Sequence, residues 1–246
     1  MLPSSSNELK NFFLAGLSIF GVLGIPFLSE ATPLRVVIIR HGEKIDDFHS
    51  DLSPKGCQRA YQLPLFFEAY RANAVAIYAQ QPKKVGGSIR PIETMAPTAE
   101  KFGLRINNGF LRDDVTSVAD EILNSPAYNG KTVFVSWEHS AILNLVPSLG
   151  YKIPAALQAW PSAIFDEAWV LSYALGKTPS LEIVAEHVLP TDIENSQSGI
   201  SNWPNENSPV DNGIIIPPSV LSECNGGNRG LDKLAAKAAL HPIPGL

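Results

Sequence analysis

Residues 34–44, Leu-Arg-Val-Val-Ile-Ile-Arg-His-Gly-Glu-Lys, decide the fold, because an apolar run of strand length ends there in Arg-His-Gly. A continuous Val and Ile run bounded by glycine predicts a strand that is buried on both faces of a sheet. Open α/β sheets bind their ligands at the carboxyl ends of the strands. Arg40 and His41 are therefore predicted to face a ligand, and an ordinary charged turn after a core strand is the alternative.

Beyond this first strand, predicted strands alternate with predicted helices. The strands are expected at 74–79, 104–107, 132–136, 168–173 and 181–185, and the helices after Ser53, over 95–102, over 115–123 and over 141–149. Ser53 is a suitable N-cap, Pro54 suits the first helical position, and Pro64 is expected to kink or split that helix. The alternation predicts an α/β three-layer sandwich with a mostly parallel sheet and helices on both faces.

The N-terminal residues 1–31 are predicted to be a signal peptide. An apolar run over 12–28 is followed by Ser29 and Ala31, which is the small-residue pattern of a secretory cleavage site. An uncleaved membrane anchor over 12–28 is the alternative. We therefore expect an exported protein, either periplasmic or extracellular, or one that this segment anchors to the membrane.

The rest of the chain divides into a globular domain and a tail. Residues 32–189 contain all of the predicted strands and form the domain. Residues 190–246 are rich in Asn, Ser, Pro and Gly, so an irregular tail is predicted, with a short terminal helix over 231–240.

Charge and composition restrict the partners. Hydrophobic residues make up 45% and charged residues 17% of the chain, which is typical of a globular protein. The net charge is −5 and the basic residues are scattered, so nucleic acid is not expected as a partner. Contact with a membrane is expected only if the N-terminal segment is uncleaved.

Two cysteines, Cys57 and Cys224, stand far apart in the sequence. In an oxidising compartment they could pair and join the tail to the domain. Connectivity cannot be read from the sequence, and two unrelated thiols are slightly favoured. Neither cysteine has the spacing of a zinc or redox site, so no metal and no cofactor are expected.

Charged side chains follow three of the predicted strands. Arg40 and His41 end the first, Glu138 and His139 end the strand over 132–136, and Arg90 precedes a helix. The carboxyl ends of parallel strands share one edge of a sheet, so these side chains can converge. Guanidinium groups match phosphate oxygens, and a neutral imidazole can attack phosphorus. A second imidazole can stabilise the transferred oxygens, so the pattern indicates a phosphate pocket that needs no metal.

Four motifs over residues 34–188 resemble those of the histidine phosphatase superfamily, which has the phosphoglycerate-mutase-like fold. They are Arg40-His41-Gly42, Leu52-Ser53-Pro54-Lys55-Gly56, Arg90-Pro91-Ile92-Glu93-Thr94 and a histidine, His139, that follows a strand. The resemblance implies that His41 is the phosphorylated nucleophile and that Arg40, Arg90 and His139 bind phosphate. It implies a metal-independent phosphomonoester hydrolase, whose substrate is a phosphorylated small molecule, such as a phosphosugar, or a phosphoprotein.

Three carboxyl groups are candidates for the acid that donates a proton to the leaving group. In the phosphoglycerate-mutase-like branch an acid follows the third strand, which implies Asp113 as the first choice and Asp114 as the second. Both also suit a solvated turn before a helix, where carboxylates are favoured by the helix dipole. Glu138 is better interpreted as a carboxylate that orients a neighbouring imidazole or arginine.

Two other classes of function stay open. The same pocket could belong to a module that binds phosphate or a polyanion with weak or no turnover. The chain could also be a membrane-anchored interaction protein whose tail is the working part. The loops around the pocket look short, and an open pocket favours hydrolysis over mutase chemistry.

Overall fold

A six-stranded sheet lies at the centre of the computed structural model, which describes residues 32–192 and 215–244. The strands are β1 Arg35–Arg40, β2 Ala74–Ala79, β3 Ile106–Asn107, β4 Thr132–Trp137, β5 Glu167–Ser172 and β6 Ser180–Ala185. The helices are α1 Pro54–Phe67, α2 Arg90–Phe102, α3 Val115–Asn124, α4 His139–Ser148, α5 Pro218–Asn225 and α6 Arg229–Ala238. The predicted signal peptide or anchor over 1–31 lies outside the described residues. In the two described ranges, no helix has the length and apolarity to cross a membrane.

The strand order is β3-β2-β4-β1-β5-β6, and the first four of these strands run parallel. β5 runs antiparallel to both β1 and β6. One face of the sheet packs against α1, α2 and α6, and the other packs against α3 and α4. The predicted three-layer α/β architecture with a mostly parallel sheet is confirmed.

β1 is buried on both faces, as its apolar run predicts. Val37 and Ile39 belong to the core under α1 and α2, while Val36 and Ile38 belong to the core under α3 and α4. β4 and β5 flank β1, so its backbone groups are paired on both sides. The next residue, His41, therefore follows a strand that is paired on both sides and buried on both faces of the sheet.

The loop after β1 lies directly against the first turn of α1. Ser53 caps this helix by accepting a hydrogen bond from the Gly56 amide at 3.1 Å, and its own amide donates to the Glu43 carbonyl at 2.9 Å. A Cβ atom at Gly56 would lie 2.3 Å from the Glu43 carbonyl oxygen, which no side chain tolerates. α1 continues through Pro64, so this proline does not split the helix, and the alternative of a kink at Pro64 stays a prediction.

Arg59 of α1 is buried, with 1% of its surface exposed, among three carboxylates. Its guanidinium binds both oxygens of Glu43, at 2.8 and 3.0 Å, and both oxygens of Asp192, at 2.6 and 3.0 Å. A third contact of 3.1 Å reaches Glu186, just after β6. Burial raises the pKa of Glu186, although Arg59 opposes the shift. This cluster, which the sequence did not predict, ties the loop after β1 to the end of β6.

The predicted irregular tail is ordered in its described part. Two helices, α5 and α6, follow residue 215, and α6 occupies the place where a short terminal helix was predicted. Leu231 and Ala235 are fully buried in the core under α1 and α2. The prediction of an irregular tail is therefore wrong for residues 218–225, because polar composition masked an element that packs through a few apolar side chains.

Cys57 of α1 and Cys224 of α5 form a disulfide. The slight preference for two unrelated thiols was wrong. Both residues are buried in the same core, so the bond joins α5 to the domain at a packed contact.

We expect the double variant Cys57→Ala/Cys224→Ala to lose about 2–4 kcal/mol in free energy of unfolding, because the bond closes a long loop of the unfolded chain. Denaturant unfolding measures the loss. Wild-type protein in reductant should move toward the variant, and the variant itself should not respond. A wild type whose stability is unchanged after full reduction, checked by mass, would contradict this expectation.

Candidate active site

His41 directly follows β1 and is 5% exposed. Its backbone amide donates to the Trp137 carbonyl at 3.2 Å, which extends the β1–β4 pairing by one residue. Nδ1 of the ring lies 2.8 Å from the Gly42 carbonyl oxygen. A carbonyl only accepts, so Nδ1 carries the proton and Nε2 keeps its lone pair. The ring is thus held in the tautomer that a nucleophilic imidazole needs.

The surroundings of His41 keep its ring neutral. Burial lowers the pKa of His41 to about 3, the hydrogen bond to Gly42 opposes that shift, and the charges of Arg90 and Arg40 add to it. At neutral pH the imidazole is therefore uncharged and able to attack. Arg40 precedes His41 in the chain, and the Thr94 hydroxyl binds both the Gly42 amide and the Arg90 carbonyl, so the backbones of the three predicted residues lie close together.

Arg40 is buried at the end of β1 and is held by neutral groups. Its Nη1 donates to the carbonyl oxygens of Ser162 and Ile164 at 2.8 and 3.0 Å. The guanidinium carbon lies 3.7 Å from the ring centroid of Phe165. Its Nε is buried without a partner among the described residues. Burial lowers the pKa of Arg40 to about 10, so the group stays charged near neutrality.

Arg90 is the first residue of α2, and it also lacks an ion pair within the described chain. Nε donates to the Ser88 hydroxyl at 2.8 Å and Nη1 donates to the Asp46 carbonyl at 3.1 Å. Thr94 connects this turn to His41, because its hydroxyl donates to the Arg90 carbonyl and accepts from the Gly42 amide. Two buried guanidinium groups without carboxylate partners therefore flank a neutral imidazole, which is an arrangement suited to a phosphate dianion.

Glu138 and His139 follow β4 at the N-terminus of α4. One oxygen of Glu138 caps the helix by accepting from the amides of Ser140 and Ala141 at 3.1 Å. The other oxygen lies 2.6 Å from Nδ1 of His139. Burial by itself would raise the pKa of Glu138, but the contacts with His139 and Ser140 outweigh it and hold that pKa below its usual range. Glu138 is therefore an ionised carboxylate beside His139, and this placement supports the predicted orienting role.

The two aspartates proposed as proton donors lie in the turn before α3. The side chain of Asp113 is 65% exposed and contacts Arg112 at 2.6 Å and Lys83 at 3.7 Å. Asp114 accepts a hydrogen bond from the Leu111 amide at 2.8 Å, which is a local turn contact. Neither carboxylate has a described contact with His41, Arg40 or Arg90, and Asp113 is connected to His139 only through Arg112 and Glu138. The role of Asp113 or Asp114 as proton donor stays a prediction.

The loop over 158–166 was missed as part of the site. It supplies Ser162, Ile164 and Phe165 to Arg40, although it carries no motif. Trp160 of this loop stacks on Trp169 at 5.2 Å and is buried, as expected of a core residue. Within the described ranges, no group of His, Cys, Asp and Glu side chains could hold a metal ion.

Comparison with known proteins gives distant likenesses in structure alone. No protein-family model and no curated protein sequence matches the chain. A mycobacterial glucosyl-3-phosphoglycerate phosphatase bound to inorganic phosphate is 15% identical with a TM-score of 0.44, covering 61% of this chain and 95% of its own. The protein histidine phosphatase SixA bound to tungstate is 14% identical with a TM-score of 0.44, covering 62% and 97%. Likenesses of this degree carry no conclusion about activity, which rests on the side chains described above.

We expect the His41 ring to remain neutral between pH 4 and pH 8, because its pKa is lowered to about 3. In a pH titration followed by NMR, its Cε1–H signal should not move in this range, and the His41→Asn variant identifies the signal by its loss. Movement with a midpoint near 6.5, about the value of an unperturbed histidine, would contradict the burial argument.

Proposed function

We propose that the chain is a phosphomonoester hydrolase of the histidine phosphatase superfamily that acts through a phosphohistidine on His41 without a metal. The observation that carries this proposal is the state of His41, whose Nδ1 is bound to a carbonyl while burial keeps the ring neutral. Arg40 and Arg90 lie beside it without carboxylate partners in the described chain. A nucleophile between two unpaired cations suits attack on a phosphate ester.

In the first step, the lone pair on Nε2 of His41 attacks phosphorus. The bond between phosphorus and the leaving oxygen breaks, its electron pair stays on that oxygen, and the oxygen takes up a proton from a candidate carboxyl group or from water. Arg40 and Arg90 neutralise the negative charge that spreads over the transferred oxygens. In the second step, water attacks phosphorus and gives up a proton to solvent, while the phosphorus–nitrogen bond breaks and its electron pair returns to Nε2. The His41 ring is then neutral again, and phosphate is released.

His139 is the second imidazole proposed to contact the phosphoryl group. Its Nδ1 faces Glu138, so its Nε2 is the ring atom left to meet phosphoryl oxygens. The proposed substrate is a phosphorylated small molecule, such as a phosphosugar, or a phosphoprotein.

We further propose that the protein is exported to the periplasm or the cell exterior, or is anchored to the membrane by residues 12–28. The disulfide between Cys57 and Cys224 supports an oxidising compartment, because thiols stay reduced in the cytosol. The apolar N-terminal run supports the same proposal.

We expect wild-type protein to release phosphate from an aryl phosphate and to carry acid-labile phosphate on His41 during turnover. His41→Ala should abolish both, because the nucleophile is lost. His241→Ala removes an exposed histidine from the C-terminal segment and should retain activity within about twofold. Rapid-quench labelling with mass analysis measures the intermediate, and turnover that persists in His41→Ala would refute the proposal.

We expect activity to survive prolonged treatment with a chelator, because the guanidinium groups of Arg40 and Arg90 supply the positive charge that a metal would provide. Phosphate release is measured before and after dialysis against the chelator. A large loss that added divalent cations restore would show that the proposed chemistry is wrong.

A further inference from the structure

One oxygen of Glu138, Oε2, is saturated with hydrogen-bond donors. The amides of Ser140 and Ala141 donate to it at 3.1 Å each, and the Ser140 hydroxyl donates at 2.7 Å. The fourth donor is Nε of Arg112, at 3.1 Å. An acceptor with four donors is fixed in position, and the remaining oxygen then points in one direction only.

The other oxygen of Glu138, Oε1, is left to His139. It lies 2.6 Å from Nδ1, although the angle is poor for a hydrogen bond. Nδ1 is buried with no other partner among the described residues, so the Glu138 carboxylate is the polar group that this nitrogen meets. A carboxylate beside Nδ1 holds a proton there and turns Nε2 outward. Nε2 donates to a phosphoryl oxygen once the ring has taken up a second proton with the bound dianion.

Arg112 binds this unit with more than one of its nitrogens. Besides the contact of its Nε with Glu138, Arg112 donates from Nη2 to the Ser140 hydroxyl at 2.5 Å, and that hydroxyl donates in turn to Glu138. The backbone of Arg112 is itself fixed, because its carbonyl accepts from the Trp137 indole at 2.9 Å. The planar fork of a guanidinium is what allows one side chain to make both contacts.

Asp113 completes the arrangement from the solvent side. Its carboxylate accepts from the remaining branch of the Arg112 guanidinium at 2.6 Å. The residue that the sequence suggested as a proton donor thus lies at the outer end of a series that runs from Asp113 through Arg112 and Glu138 to His139.

We propose that Arg112 is a positioning residue for His139. It fixes one oxygen of Glu138, so that the other oxygen sets the tautomer and the direction of the His139 ring. The inference rests on the proposed function, because His139 matters only if it meets a phosphoryl group. A surface ion pair would be worth little, but Arg112 binds the same Glu138 oxygen as the cap of α4, and the second oxygen of that carboxylate meets the His139 ring.

Three variants test this inference. Arg112→Met keeps about the length of the aliphatic stem without the charge or the donors of arginine. We expect kcat for an aryl phosphate to fall about tenfold or more while KM changes by less than about threefold, because Arg40 and Arg90 still bind the phosphate. Arg112→Lys keeps the charge without the fork and should recover only part of the loss. Arg71→Met is the matched control, because it removes an exposed arginine that is paired with Glu68.

A second readout does not depend on turnover. In protein with ¹⁵N-labelled histidine, long-range proton–nitrogen correlation should show His139 with its proton on Nδ1 in the wild type and in Arg71→Met. A mixture of tautomers is expected in Arg112→Met. If the His139 tautomer and kcat are both unchanged in Arg112→Met, the inference is overturned. The proposed function is then still tested separately, by the labelling of His41 with phosphate. If wild-type protein neither turns over nor labels, the proposed function fails and the tautomer experiment still decides the role of Arg112.

Discussion

The site depends on the close approach of two backbones, that of the loop after β1 and that of the first turn of α1. A Cβ atom at Gly56 would lie 2.3 Å from the Glu43 carbonyl oxygen, so glycine at this position is a geometric requirement. The contact holds Gly42 and Glu43 in place from one side, and the Thr94 hydroxyl holds the Gly42 amide from the other. His41 precedes these residues, and its ring bonds to the Gly42 carbonyl, so this fixed backbone sets the orientation of the ring.

Buried charges are distributed unevenly around this backbone. Arg59 is surrounded by three carboxylates, whereas Arg40 and Arg90 have none in ion-pair contact within the described chain. The paired arginine joins three elements of the fold, whereas the unpaired ones place uncompensated positive charge near His41. Desolvating a cation without a partner is costly, and the lowered pKa values of Arg40 and Arg90 reflect that cost. Such a cost is expected where an anionic ligand provides the missing charge.

Hydrophobic periodicity in the sequence predicts the strands and helices, and the residues at strand ends can be predicted to share one edge of the sheet. Residues at the end of an apolar run, such as Arg40 and His41, are placed on one edge of the sheet by topology alone. The contacts of Phe165 could not be predicted, because its loop has no periodicity and meets Arg40 only through tertiary structure. The pairing of Cys57 with Cys224 needs coordinates for the same reason. Polar composition hid α5, since helices that pack through few apolar side chains leave a weak pattern.

The loop over 158–166 reaches Arg40 because β5, which follows it, runs antiparallel to β1. Ala168, near the amino end of β5, pairs with Ile39, near the carboxyl end of β1. The segment entering β5 therefore arrives at the edge from which the parallel strands leave, and it covers Arg40 there. The length of this segment does not affect the strand order or the backbone that holds His41. Insertions and deletions here can therefore change what covers Arg40 while β1 and the His41 ring stay in place.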